Sequence, residues 1–210
     1  MIRTHALQFT YQDVEDQTLY FPDIDLSAKE DLLILGASGV GKTTFIHLLA
    51  GLLPPKEGEI FIDYTFLNKL TRKQLDYFRG QHIGLIFQRT YFIRSLTVLE
   101  NLTLREKLSK KKSDPQRKEE LIQQLGLSNL QNKRIHQLSE GQQQRLSIAL
   151  GVVHSPKVIL ADEPTSNLDD VNCEKVISLL KKEARICKSN LVIITHDQRV
   201  KSHFNNHIIL

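Results

Sequence analysis

The sequence predicts an α/β protein built on a mostly parallel sheet covered on both faces, with a helical insertion. Three observations predict it. Short continuous apolar runs, Leu32–Leu35, Ile83–Phe87, Val158–Ala161 and Leu191–Thr195, alternate with helical patterns, as strands buried on both faces do. The stretch Gly36-Ala37-Ser38-Gly39-Val40-Gly41-Lys42-Thr43 joins one such strand to a helix. Between Gln88 and about Pro156 the strand signals vanish. With 210 residues the chain is long enough for one large α/β core. A single domain over 1–210 is expected, its core from 1–87 and 157–210 and its helical part from 88–156.

The elements follow in order. Leu7, Phe9 and Tyr11 alternate with polar neighbours and open the chain as a half-buried strand. The helix after the glycine-rich stretch runs from Lys42 to about Ala50, where Gly51 stops it. Glu59–Asp63 reads as a strand, and Thr71-Arg72-Lys73-Gln74 is a capping box opening a short helix. Helices are expected over Thr97–Leu108 and Pro115–Leu125. The second has Asp114 as N-cap, Pro115 at its first position and Gly126 past its end. Another begins near Gly141. A long helix from about Asp169 to Lys188 carries Cys173, Val176, Ile177, Leu180, Ala184 and Cys187 on one face. The two cysteines lie about 21 Å apart along it, too far for a disulfide, so both are expected to be free packing residues.

Composition bounds the function. At 40% hydrophobic and 25% charged, the chain is not disordered, collagen-like or a coiled-coil rod. The net charge of +4 permits an anionic ligand or a membrane surface but does not demand nucleic acid. The longest nearly apolar run, Phe45–Leu53, is far short of the about 20 residues of a membrane span. Met1–His5 has no apolar run, so no secretory leader is expected.

The stretch Gly36–Thr43 fits the phosphate-loop pattern G-x-x-x-x-G-K-[ST], in the strand-to-helix context its mechanism requires. Glycines let backbone N–H groups turn inward around phosphate oxygens, and the positive helix end points at the same anion. Lys42 reaches the β- and γ-phosphates, and the Thr43 hydroxyl can ligate Mg²⁺. Val158–Ala161 then carries Asp162 to a strand end, where it can bind Mg²⁺ through water. Glu163 follows as general base for the attacking water. Two acids ending a buried strand are unfavourable without a cation, which argues for function.

On these residues, and on five further motifs in order, the chain resembles the ATP-binding cassette family, the nucleotide-binding subunits of ABC transporters. Leu138-Ser139-Glu140-Gly141-Gln142 is similar to the family's LSGGQ signature, with Glu140 in place of its first glycine. Ser166-Asn167-Leu168-Asp169 resembles the D-loop, and Thr195-His196-Asp197 the switch-histidine loop. Gln88 stands where the Q-loop glutamine stands, and Tyr11 is placed like the aromatic that stacks on adenine. The resemblance implies an N-terminal antiparallel β part beside the parallel core. It implies ATP binding by Tyr11, by Gly36, Ala37, Ser38, Gly39, Val40, Gly41, Lys42, Thr43 and Thr44, and by Ser139, Gly141 and Gln142. It implies Mg²⁺ at Thr43, Gln88 and Asp162, catalysis by Glu163, His196 and Gln88, and a D-loop role for Asp169. It further implies two cassettes that sandwich two ATP molecules head to tail. Ser139 can N-cap the helix beginning at Gly141, whose N-terminus is then an anion site with no anion of its own chain. Glu140 puts a carboxylate beside that site, unfavourable unless it points away.

Asn68–Phe78 and Ser95–Asn101 look most like the lipoprotein-release and macrolide-export branch, which implies an integral membrane permease as partner and a peripheral cytoplasmic location on the inner membrane face. A complete motif set implies an ATP-dependent homodimer. Tyr91, Phe92, Ile93 and Leu96, just after Gln88, are expected to line a groove for a short cytoplasmic helix of the permease. The alternative is a soluble cassette ATPase acting on the ribosome or nucleic acid. The basic run Lys107–Lys118 could serve it but reads more simply as a solvated helix end and loop, and no nucleic-acid partner is expected.

Overall fold

The computed structural model describes residues 1–11, 17–166 and 168–210. An antiparallel part opens it: β1 (Ile2–Thr10), β2 (Thr18–Tyr20) and β3 (Asp25–Leu26). β4 (Asp31–Leu35) leads through the glycine-rich loop into α1 (Lys42–Leu49). The chain returns as β5 (Glu57–Ile62) and β6 (Thr65–Phe66), then α2 (Arg72–His82) and β7 (Ile83–Ile86). Three helices follow, α3 (Val98–Leu108), α4 (Pro115–Gln124) and α5 (Glu140–Val152). β8 (Val158–Asp162), α6 (Asp170–Cys187), β9 (Asn190–Thr195) and β10 (His207–Ile209) complete the order.

Two sheets result. One is antiparallel in the order β2-β1-β5-β6, with β3 also on β1; the other is parallel in the order β10-β4-β9-β8-β7. Alternation along the parallel strands divides the core. Leu33, Leu35, Ile159, Ala161, Leu191 and Ile193 pack with α5 and α6. Leu32, Ile34, Leu160, Val192 and Ile194 pack with α1 and the antiparallel sheet.

Helix starts form where their capping residues stand. Thr71 Oγ1 accepts from Gln74 N while Gln74 Oε1 accepts from Thr71 N, and Asp114 caps α4 ahead of Pro115. One turn departs from expectation. The strand expected over Glu59–Asp63 starts two residues earlier and ends at Ile62. Asp63 and Tyr64 then take φ of 45° and 64°, the left-handed pair of a two-residue hairpin that adds β6. Both cysteines are free, as expected.

The seam between β7 and α5 is backbone on backbone. A Cβ on Gly84 would lie 2.1 Å from the Gly151 carbonyl oxygen, and one on Gly151 would lie 2.7 Å from Ile86 Cγ1. Only glycines allow this approach. The buried pair Arg117–Glu183 joins α4 to α6, and Lys118 pairs with Glu106 at 3.0 Å. Lys111 bends inward, its Nζ donating to the His154 and Ser155 carbonyls at 3.0 and 2.8 Å just past the end of α5. The basic run is thus partly a helix-end fixture.

His154, 4% exposed, faces Arg105 Nη2 at 2.9 Å. Burial first, then the charges of Arg105 and Lys111, hold its pKa down to about 2. Below about pH 6.5 the unfolded chain takes up a proton that the folded chain refuses, so stability falls as pH falls. From pH 7 to pH 5 this histidine should cost about 2 kcal/mol. His154→Gln, which can still accept from Arg105, should show a shallower loss of thermal midpoint over that range. Equal losses in both proteins would remove His154 as the source.

Candidate functional site

The phosphate loop is fixed by its flanks. β4 lies inside the parallel sheet between β10 and β9, and α1 packs on that sheet through Phe45, Ile46, Leu48 and Leu49. Gly41 turns the chain at φ 100°, with Leu19 Cδ1 only 3.2 Å from where a Cβ would stand. Lys42 is buried, its Nζ donating to the Gly36 and Ala37 carbonyls at 2.9 and 2.8 Å and lying 3.5 Å from Glu163 Oε1.

Parallel pairing of β8 with β9 and β7 brings the remaining groups to the same edge. Thr43 Oγ1 donates to Asp162 Oδ2 at 2.9 Å, across 119 residues of sequence. Asp162 Oδ1 is buried with no hydrogen-bond partner among the described residues, and burial raises the carboxyl pKa. A hydroxyl beside an orphaned carboxylate oxygen, with the Gln88 amide lining the same cleft, is the hard-oxygen set that suits Mg²⁺. Glu163 sits at φ 47° just past β8, its carboxylate accepting from Thr195 Oγ1 at 2.8 Å and from the His196 backbone N–H at 3.2 Å. His196 Nδ1 lies 2.9 Å from Glu163 Oε1, with 60% of its side chain exposed to the cleft.

The cleft, of about 360 Å³, is lined by Tyr11, Ser38, Gly39, Gly41–Thr44, Gln88, Glu163 and His196, with Gln17 and Leu19 on one wall. Tyr11 sets its ring edge-on to Phe9 and shares a 2.6 Å hydrogen bond with Thr44 Oγ1, which orients it at the mouth. The cleft contains charge-bearing groups suited to a polyphosphate, and a carboxylate, Glu163, with a histidine in contact with it.

Other expected residues lie elsewhere. Ser139 caps α5 by a reciprocal box in which Gln142 Oε1 accepts from Ser139 N at 2.9 Å, so the Gln142 side chain is turned back to its own helix. Glu140 is exposed in the first turn, and the space a Cβ of Gly141 would take is open. Ser139, Glu140 and Gly141 line a second cleft, also about 360 Å³, with Leu168, Asn172 and Lys175. Asp169 caps α6 by accepting from Asn172 N at 2.8 Å, which lowers its pKa. Asn167 of the D-loop stretch lies outside the described residues.

Phe92 departs from expectation: it packs against the core, while Tyr91 and Ile93, 71% and 47% exposed, line a groove of about 460 Å³ with Phe87, Leu104 and Leu108. Sequence reasoning gave no role to Thr195, whose hydroxyl holds Glu163. It also gave none to Gln144, whose Nε2 donates to the Pro164 carbonyl at 2.9 Å and so joins α5 to the residue after Glu163. Thr195 stood inside the quoted Thr195-His196-Asp197 stretch, so its position was the available signal; Gln144 had none.

Comparison with known proteins agrees with this geometry. A family model described as "ABC transporter" matches residues 22–166. The chain is 35% identical to the lipoprotein-releasing system ATP-binding protein LolD of Treponema denticola over 201 residues, 94% of this chain and 89% of that protein. It is 34% identical to the protein of that name from Idiomarina loihiensis, over 94% and 88%. Among solved structures, it matches the dimeric structure of a bacterial ABC transporter cassette with a TM-score of 0.88 and 32% identity, covering 100% of this chain and 94% of that one. A dimeric post-hydrolysis state of that cassette, bound to ADP and Pi, matches equally well.

Proposed function

From the premise that this chain belongs to the ABC transporter family and is its ATP-binding, ATP-hydrolysing subunit, we propose how its residues divide the work. Lys42 and the loop N–H groups hold the β- and γ-phosphates, and Tyr11 stacks on the base. Glu163 takes the proton of the attacking water, while His196, already against that carboxylate, contacts the γ-phosphate and orients both. Mg²⁺ would be held by Thr43, Asp162 and Gln88 and, when bound, neutralises charge on the phosphates. The observation that carries this reading is the convergence of Lys42, Thr43, Asp162, Glu163 and His196 on one sheet edge.

The phosphate loop and the α5 N-terminus line different clefts of one chain. Two copies set head to tail would bring each loop against the other's Ser139 and Gly141, completing two composite sites. The dimeric cassette that this chain resembles supports that arrangement. Glu140, at a helix N-terminus, suits the helix dipole but opposes the incoming γ-phosphate unless it stays turned to solvent.

A membrane permease is the partner the relatives support. No helix among the described residues is long and apolar enough to cross a membrane. The transporter relatives support contact with the permease through a surface of the cassette, at the cytoplasmic face. The groove of Phe87, Tyr91, Ile93, Leu104 and Leu108, whose walls also include Asp76, Arg79, Asn101 and Arg105, is mainly apolar and lies one residue from Gln88, so it would join the nucleotide cleft to the partner through one short segment. The test is co-purification. Tyr91→Asp should abolish capture of the permease while leaving Mg-ATP affinity and thermal midpoint close to those of the unchanged protein. Normal capture by Tyr91→Asp would move the docking site elsewhere.

A further inference from the structure

Arg199 lies on the turn after β9 and is exposed, yet its guanidinium is committed on three sides. Nε and Nη2 pair side-on with the Asp197 carboxylate at 2.9 and 2.8 Å, Nη1 pairs with Asp170, and Nη2 also donates to the Leu168 carbonyl at 3.2 Å. A planar fork meeting two carboxylates and a carbonyl fixes orientation in a way a point charge cannot. The Asp197 end leads inward. Asp197 Oδ2 accepts from the buried Thr165 hydroxyl at 3.1 Å, and Asp197 N donates to Thr195 Oγ1 at 3.0 Å. Thr195 Oγ1 in turn donates to Glu163 Oε2 at 2.8 Å. The Leu168 end leads the other way, because Leu168 and Asn172 wall the cleft that holds Ser139 and Gly141.

We propose that Arg199 is a positioning residue that ties the two half-sites of one chain together. It clamps the 168–170 turn to the loop carrying His196, so that closure of a second copy on the Ser139 cleft sets the geometry of Glu163 and His196 in this chain's own nucleotide cleft. The inference rests on the preceding reading of Glu163 and of the head-to-tail pair. The chain of hydrogen bonds is contiguous from Leu168 and Asp170, through Arg199, Asp197 and Thr195, to Glu163. Arg199 touches neither cleft directly; it acts through Asp197.

The test separates placement of Glu163 from folding and from nucleotide binding. Wild type, Arg199→Gln, Arg199→Lys, Asp170→Asn and the double variant Arg199→Gln/Asp170→Asn are compared in ATP turnover, Mg-ATP Kd and Tm. Arg199→Gln should lose about tenfold in kcat with Kd held within about twofold, because misplacement of the base affects the transition state and not the phosphate loop. Arg199→Lys, which can pair with one carboxylate but cannot bridge both, should recover Tm and only a minor part of kcat. Asp170→Asn should lower kcat in wild type and add nothing to Arg199→Gln, since the two act through one contact. Turnover of Arg199→Gln within about twofold of wild type overturns the proposal, as does a loss of Kd and Tm in step with kcat, or full multiplication of the two defects. If Arg199→Gln does not fold, Arg199→Lys is read alone, and wild-type kcat there overturns it equally. Absence of turnover in wild type removes the hydrolytic reading itself, and the proposal with it.

Discussion

Glu163→Gln should lower ATP turnover by about 10²-fold or more while Mg-ATP still binds. The amide keeps the shape of the side chain, and its one oxygen, set where Oε2 stands, can accept from both the Thr195 hydroxyl and the His196 N–H, at 2.8 and 3.3 Å in the unchanged protein. Among the described residues it removes the one carboxylate that lines the cleft. Hydrolysis being slowed after binding, the variant should accumulate as a dimer with Mg-ATP and return to monomer without it, by light scattering on a sizing column. Near-normal turnover would remove Glu163 from the mechanism. A strictly monomeric variant at high protein and ATP concentration would mean that a partner must hold the pair together.

Lys42→Ala should abolish hydrolysis and weaken Mg-ATP binding by tenfold or more, on the basis that a charge-assisted hydrogen bond contributes about 1.5–3 kcal/mol. Two effects combine. The variant loses the main side-chain charge on the phosphates. It also releases the Gly36 and Ala37 carbonyls that Lys42 Nζ ties together, so the loop loses an internal brace. Equilibrium binding of a fluorescent ATP analogue, with the thermal midpoint as control, measures the effect. Binding within about twofold of the unchanged protein would show that backbone N–H groups alone hold the phosphates.

Much of this architecture was legible in the sequence because it is written in local chemistry. A capping box is four residues long, and Thr71, Ser139 and Asp114 announce their helices without help from elsewhere. The phosphate loop reads clearly because its strand, glycines and helix are consecutive. Contacts over long separations are less visible. Nothing in Asp63-Tyr64 advertises a hairpin, since a tyrosine at φ 64° violates the usual glycine preference and is imposed by pairing of Ile62 with Thr65. Lys111 looked like one more solvated lysine, but two carbonyls beyond the end of a helix 43 and 44 residues away claim it. Phe92 and Tyr91 are adjacent aromatics whose difference, one tucked and one exposed, depends on the helices packed beside them. The pairing of the two acids with Thr43, Thr195 and His196 needed the strand order, because those groups meet only when β8 lies between β7 and β9 and β9 beside β4.

The glycine seam between β7 and α5 has a mechanical consequence. Helix α5 has 13 residues, a rod of about 20 Å, and its last turn rests directly on the backbone of the strand that ends just before Phe87 and Gln88. Its other tip carries Ser139 and Gly141. It is therefore a lever, clamped by backbone where the nucleotide-facing strand ends and held near its first turn by side-chain contacts such as Gln144 to the Pro164 carbonyl, where the second copy's phosphate would arrive. A tilt of about 5° at the clamp would swing the far tip by about 2 Å over such a rod. Because phosphate contacts are sensitive to displacements of about 1 Å, in the proposed head-to-tail pair the lever would turn a shift at Gln88 too small to disturb the core into one large enough to engage or release the neighbouring site.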